Sequence, residues 1–547
     1  MQRDIETLTG RRFDLVVVGG GIHGLFAAYE AASRGWSTAL IEAGDIGSGA
    51  TFNHQRTLHG GLRALQSGNF LKARRQIAER RTWAAIAPHL VRPLPFLIGT
   101  YRFTKRSRML LRAGLKLYDT IGRRRNAGVL PELHLPRTRL ESRAATRALF
   151  PGIDARGLSG GAVWYDYQTR HPERLTWSVA LAAEAAGATL ATYVETVGPL
   201  RSNGRFTGCR VQDRLTGREV DVEASVTLLS AGAGLSRLHE AFGLSGAPPL
   251  LRAVNVLVNR PARDIALAGS PGPGGRMLTA VPWAGHVLVG THQSPEPVEP
   301  GEVHAPAEAV AALVGEANLA FPSLKLTPAD VLLVHHGLVP AVVRGRRAAL
   351  RGEPLVIGHS AHGAPGVVSL AGTKFTTARS AALEALRAVA RELGRSRGSS
   401  RTDRAVLPHA DIADAEGRLI ECMRDVGISL DPDIVDHLSS WYGTEAADVV
   451  RHAMSAGGLE RLTPETPVLT AEVTYAVDRA AAVRLEDVLL RRTPLSAAGH
   501  PGRAVTERVA ALMGARLGWP AAQQEAELQS FDARLAAGRL SPQVTAR

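Results

Sequence analysis

Apolar residues first gather in a short β-branched run, "DLVVV" from Asp14, then fall at helical spacing through "IHGLFAAYEAAS", and then form a second short run, "TALIE". A brief continuous apolar run beside glycines marks a strand buried on both faces, whereas the wider spacing marks a helix. The pattern predicts strand, glycine turn, helix and second strand from about Phe13 to Glu42. Strand-like "GGAVWYD" precedes a helical pattern from Ser178 to Ala186. The stretch "REVDVEASVTLLSAGAGLSRLHEAFGL" reads as a strand pair, a glycine turn and a helix, and "GVVSLAGTKFTTARSAALEALRAVARELG" gives strand, glycine turn and helix again. Between Leu251 and His292, strand-like runs alternate with Gly/Pro turns, as in a mixed or antiparallel sheet. Beyond the polar, glycine- and serine-rich "GRSRGSSRTDRAVLP", helical patterns dominate from Asp411 to about Leu535.

The chain therefore reads as α/β: a bipartite Rossmann-like domain, a mixed or antiparallel sheet beside it, and an all-α C-terminal domain. At 547 residues it exceeds what one core usually supports. Its longest apolar runs are too short and too glycine-rich to span a bilayer. Without a basic-then-apolar leader in the first ten residues, the expected location is the cytoplasm.

Charge narrows the partners. Lys plus Arg number 65 against 51 for Asp plus Glu, a net charge of +14, yet aromatics are only 5% and no nucleic-acid-binding module is present. No nucleic-acid partner is expected. An anionic substrate or an anionic membrane surface suits the excess. Cys209 and Cys422 are far apart and in no ligand spacing, so two buried thiols are expected, with no disulfide framework and no metal site.

Gly19, Gly21 and Gly24 fit G-x-G-x-x-G between a strand and a helix. The first glycine allows the tight turn, the second the approach of a pyrophosphate to backbone N–H groups, the third close helix packing. Glu42 closes the second strand, where its carboxylate can accept hydrogen bonds from ribose hydroxyls. Motif and spacing fit NAD and FAD equally.

The next stretch separates them. "GDIGSGATFNHQRTLHGGLRALQSGNFLKARRQIAERRTWAAIAPHL" resembles the FAD-dependent glycerol-3-phosphate dehydrogenases of the D-amino-acid-oxidase-like superfamily, with their "GAT" turn, here Ala50 and Thr51, and "HGGLR". The likeness continues in "LKLYDTIG", in "VPW" followed by "VLVGT", in "AGTKFTTAR" and in "AEVTYAVDRAAAVRLEDVLLRRT", nearly the whole chain. It implies non-covalent FAD across three glycine turns near Gly21, Gly232 and Gly372. It also implies an oxidoreductase region over 1–400, with FAD-binding segments about 12–75, 155–245 and 352–395 and substrate segments about 76–154 and 246–351. A helical domain then covers 401–547.

By the same resemblance His59 and Arg63 fall on the substrate side of the flavin. A neutral imidazole can take the hydroxyl proton while hydride leaves carbon, and a guanidinium offers a fork to an anion. Lys374 matches a family lysine near flavin and phosphate, and Thr376 and Thr377 open the helix facing the flavin. Several positions depart from the family: Val339 stands for a phosphate-binding arginine, with Arg344, Arg346 and Arg347 just beyond as replacements; Ala64 stands for a tyrosine; "GTHQ" from Gly290 is altered; and His171 and Pro172 replace paired aspartates. His292, His335, His336 and His362 offer a new polar lining.

"RFTKRSRMLLRAGLKLYDTIGRRR", Arg102 to Arg125, sets Lys105, Arg108, Arg112 and Lys116 on one helical face and Leu110, Leu117 and Ile121 on another. That suits either an interfacial helix on anionic lipid or an ordinary solvated basic face. The family implies the inner face of the cell membrane and a quinone acceptor; a homodimer is compatible. Three functions stay open: a dehydrogenase of glycerol 3-phosphate or a close anionic analogue, a flavin oxidase or dehydrogenase of another anionic substrate, and a redox-inactive flavoprotein that binds through its helical domain.

Overall fold

The computed structural model describes residues 3, 5–101, 108–272, 275–301, 304–396 and 398–536, and of 66, 412 and 413 the backbone alone. The apolar run predicted at the start forms the strand Arg12–Val18, near the middle of an eight-stranded sheet. On one side it pairs in parallel with Glu219–Leu229, which pairs in parallel with Val367–Ala371. On the other it pairs in parallel with Thr38–Ile41, and that strand with Thr189–Ala191. The helix Ile22–Ser33 makes the crossover between the first two strands in sequence. Its residues Leu25, Phe26, Ala27, Ala28 and Ala31 are fully buried, which is why this helix carries so many small side chains. Helices Pro172–Ala185 and Ala378–Glu392 share its core, with Trp83 and Phe375 stacked beneath.

The second sheet has ten strands and is mixed, as the alternating runs predicted. Val91–Tyr101 lies antiparallel to Leu158–Thr169 and parallel to Ala266–Gly269; Leu250–Val258 sits antiparallel between His286–Gln293 and Val331–Arg344. The helix Ala307–Ala320 covers one face of this sheet.

Of the C-terminal helices, Thr470–Arg479, Arg503–Leu517 and Ala521–Ala536 pack on the other face, where Val473, Leu485, Met513 and Phe531 share a core with Phe96, Trp164 and Trp283, whereas Ile412–Asp425, Pro432–Tyr442 and Ala446–Ala456 close around a core of their own that includes Leu419, Leu438 and Val449. The connecting stretch is pinned to the first helix, where Ser400 and Thr402 donate to the buried Glu30 carboxylate, and to the end of the helix Phe70–Ile86, where Leu407 N–H donates to the Ile86 carbonyl. Buried charges complete the junction. Arg174 pairs with Glu445, and Arg491 and Arg492 converge on Asp45. Cys209 and Cys422 are buried free thiols, as expected.

Candidate active site

A cavity of about 2030 Å³ opens where the carboxyl ends of the parallel strands meet the ten-stranded sheet. In open α/β sheets this is where ligands bind. Its nucleotide end is built from the three glycine turns. Gly19 has φ +114°, and a Cβ there would lie 2.5 Å from the Ser230 carbonyl oxygen; a Cβ on Gly24 would lie 2.0 Å from the Gly19 carbonyl oxygen. Side chains at either position would break the turn or lift the helix from the strand. Gly21 caps the helix, and Thr51 Oγ1 accepts from Ile22 N–H at 3.0 Å, so the loop carrying Ala50 and Thr51 is tied to the helix N-terminus. Gly372, in the third turn, is pressed on His23, whose ring would meet a Cβ at 2.3 Å. Gly232 lines the cavity from the middle turn.

Glu42 also lines the cavity, its two carboxylate oxygens accepting from Gly20 N–H at 2.6 Å and Gly44 N–H at 2.8 Å. Burial pushes its carboxyl up, against the pull of those two amides. Each oxygen retains a second acceptor position for a ribose hydroxyl. A side-chain-free turn at a helix N-terminus, a buried carboxylate beyond it and two further glycine turns along one cavity fit an adenine dinucleotide.

At the far end the strand Thr57–Leu58 delivers His59, half-exposed, into the cavity. Its Nδ1 lies 3.3 Å from Asp166 Oδ2, and its backbone N–H donates to Thr376 Oγ1 at 3.2 Å. Asp166 Oδ1 accepts from Gly60 N–H at 2.8 Å and from Arg80 Nη1, which also donates to the Tyr118 hydroxyl. Burial alone would raise the Asp166 carboxyl; the bond from His59 and the Arg80 charge outweigh it and hold it below the usual range.

Arg63 is exposed onto the same cavity, its Nη2 donating to the Met277 carbonyl at 2.8 Å. That contact sets it beside Arg276, and both guanidinium groups are pulled below their ordinary values, chiefly by desolvation. Lys374 is pushed down to about 8 by desolvation and then by the charges of Lys72, Arg63 and Arg75. Among the described residues, no carboxylate lies within ion-pair distance of Arg63, Arg276 or Lys374. Three cations facing one cavity with no carboxylate in ion-pair contact, the Glu316 charge reaching Arg276 only from farther off, suit an anion.

Other expected residues are placed differently. Thr376 lines the cavity, but Thr377 lies behind it, buried, its carbonyl accepting from Ser380 Oγ. Val339 lines the cavity, whereas Arg344, Arg346 and Arg347 are exposed at a hairpin tip and absent from the wall, because the strand Val331–Arg344 runs on past it. They do not replace the missing arginine. Ala64 is buried and off the lining.

The four histidines do not converge. His336 lines the cavity; His335 is buried against the Phe52 ring, His292 lies near Glu316, and His362 is exposed. No metal-binding cluster occurs among the described residues. The altered segment stands at the wall all the same: Gln55 Nε2 donates to the Gly290 carbonyl at 2.9 Å, and a Cβ on Gly290 would overlap Asn255 Oδ1 at 2.0 Å.

Asp166, Arg276 and Gln55 escaped the sequence reading. Asp166 had a usable signal, a lone acid in the apolar pattern of "GGAVWYD". Arg276 had none, in a chain this rich in arginine.

Fold and cavity define a dinucleotide-binding oxidoreductase. A model of the FAD dependent oxidoreductase family matches residues 14–385, and one of the C-terminal domain of alpha-glycerophosphate oxidase matches 400–524. The chain belongs to the FAD-dependent oxidoreductases, in their glycerol-3-phosphate dehydrogenase branch, and FAD is its cofactor. It is 32% identical to glycerol-3-phosphate dehydrogenase 2 of Mycobacterium tuberculosis over 98% of this chain and 90% of that protein. It is 29% identical to glycerol-3-phosphate dehydrogenase of Synechocystis over 97% of each. The solved glycerol-3-phosphate dehydrogenase of Bacillus halodurans, complexed with FAD, shares the fold with a TM-score of 0.75 at 21% identity, over 97% of this chain and 96% of that one.

Proposed function

We propose that this protein oxidises the secondary alcohol of glycerol 3-phosphate, or of a close anionic analogue, to the ketone, giving dihydroxyacetone phosphate from the former. The observation that carries this reading is one cavity holding both a half-exposed, carboxylate-partnered His59 and the cations Arg63, Arg276 and Lys374. The cations hold the anionic end and so fix where the hydroxyl-bearing carbon lies. His59 accepts the hydroxyl proton as hydride leaves the carbon. FAD, when bound, supplies the two-electron acceptor for that hydride. Gly19, Gly21, Gly24, Glu42, Ala50, Thr51, Gly232, Gly372 and Thr376 would hold it, and the division between this unit and the helical one falls near residue 400.

The exposed side of the helix Arg108–Ile121 carries Met109, Leu110 and Leu117 together with Arg108, Arg112 and Lys116, and Leu71 is exposed at the start of the neighbouring helix Phe70–Ile86. Lys105 and the rest of 102–107 lie outside the described residues. No helix among the described residues is long and apolar enough to cross a membrane. Apolar side chains rimmed by positive charge suit an anionic lipid surface, which supports contact with the inner face of the cell membrane and a quinone as next acceptor. Leu110 and Leu117 line the cavity mouth, so that face and the site are continuous.

The test is anaerobic mixing of the purified yellow protein with phosphorylated and carboxylated alcohols. Flavin bleaching by glycerol 3-phosphate or another of these anionic alcohols, and not by glycerol, supports the reading; bleaching by none of them overturns it.

A further inference from the structure

We infer that Asp166 is the positioning residue of the reaction: it fixes the tautomer of His59 so that the lone pair sits on Nε2, the nitrogen free to meet the substrate hydroxyl. The inference rests on the reading of His59 as proton acceptor. Asp166 lies on the strand Leu158–Thr169, directly opposite the strand that ends before His59, with Leu58 paired to Tyr167. Its side chain is only 4% exposed. One carboxylate oxygen is taken by Gly60 N–H and Arg80, which leaves the other aimed at His59 Nδ1.

An ionised carboxylate can only accept, so the hydrogen of a neutral His59 belongs on Nδ1 and the lone pair on Nε2. The same charge stabilises the imidazolium that forms when the hydroxyl proton arrives. Arg80 orients the carboxylate without displacing His59, because it takes the opposite oxygen. Tyr118, on the helix Arg108–Ile121, holds Arg80 in turn. A purely structural ion pair would need neither the Gly60 amide nor the histidine on the cavity side.

Other groups act on His59 as well. His54, buried and held down at about 3, is the near cationic candidate on the preceding loop, stacked on Phe375 at 4.3 Å. Arg63 follows on the same segment, and Lys374 faces the same cavity. The rings of Phe96 and the hydroxyl of Thr376 carry no charge. Asp166 is therefore the one carboxylate that the described contacts give to His59.

The test compares Asp166→Asn, Asp166→Glu and the double variant Arg80→Gln/Asp166→Asn, which removes both buried charges and carries the test should the single variant lose its flavin. Two readouts are taken on the holoenzyme: the NMR titration of the His59 ring in histidine-labelled protein, assigned by its loss in His59→Asn, and anaerobic flavin reduction against pH. Removing the anion disfavours the imidazolium, so the titration midpoint and the pH step of reduction both move down by about one unit or more. The plateau rate falls about 10- to 100-fold, and Asp166→Glu restores part of both. A His59 midpoint that stays in place in flavin-replete Asp166→Asn against the parent, or in the double variant against Arg80→Gln, overturns the inference. If His59→Asn itself leaves reduction unchanged, the reading of His59 falls first; if it slows reduction while the midpoint stays in Asp166→Asn, the inference alone falls.

Discussion

Arg492 grips Asp45 through two hydrogen bonds of 2.9 and 2.7 Å, with both side chains buried, one in the C-terminal helical region and the other just past the second strand of the first sheet. Arg491 adds a third bond to the same carboxylate and also pairs with Asp487. Breaking one side of such a pair leaves a buried charge uncompensated, which typically costs about 3–5 kcal/mol. Asp45→Asn should lower the unfolding midpoint accordingly. Burial would raise the Asp45 carboxyl, but the two arginines hold it below its ordinary value. Its stabilisation is therefore fully present above that ordinary value, near 4, and is lost as pH falls through the lower folded value. Equilibrium denaturation at pH 7 and at low pH should show the gap between parent and variant close only in acid.

Gly24→Ala tests the nucleotide end. The new methyl would lie 2.0 Å from the Gly19 carbonyl oxygen, and backbone must move to relieve it. The protein should purify with little FAD, bound more weakly by at least tenfold on reconstitution. Flavin titration followed by fluorescence measures this, and an unchanged affinity would show that the first turn does not approach the pyrophosphate.

The cation cluster predicts a pH limb of its own sign. Lys374, pushed down to about 8, carries its charge below that value and loses it above. Bound anion favours the charged form, and the phosphate monoester itself is dianionic above about 6. Substrate affinity should therefore hold between these values and weaken as pH rises past 8. Lys374→Arg should push this limb beyond the accessible range. KM against pH for both proteins measures it.

Arg276→Ala should weaken the substrate by about tenfold to a hundredfold, the worth of hydrogen bonds to a charged group, with little change in FAD content. Combined with Arg63→Ala the losses should be less than multiplicative if the two guanidinium groups hold one anion, as proposed. Multiplicative effects in steady-state kinetics would place Arg276 on a different ligand.

The parts of this site that lie close together in sequence were legible from it. Gly19, Gly21, Gly24 and Glu42 belong to one βαβ unit, whose strand runs and glycine spacing dictate its shape. His59 and Lys374 came from resemblance, and the cavity includes both. The contact between Arg63 and Met277 spans 214 positions of chain, and nothing local in "GGRML" signals it. The arginine trio beyond Val339 misled for a related reason: proximity in sequence places a residue on the same strand, but a strand that continues past the wall carries its side chains away from the site. Thr377 fell one position too far along a turn whose tightness the sequence does not state.

The proposed role of His59 as acceptor of the hydroxyl proton is read in the rate of anaerobic flavin reduction in His59→Asn. Stopped-flow mixing with glycerol 3-phosphate should show FAD content and substrate affinity nearly intact, with reduction slowed by about 10²–10⁴, the usual worth of a positioned general base. In the parent the rate should rise with pH through the imidazole titration and then level, and the variant should lose that step. A variant that reduces its flavin as fast as the parent, with the same pH step, would rule out His59 as the proton acceptor.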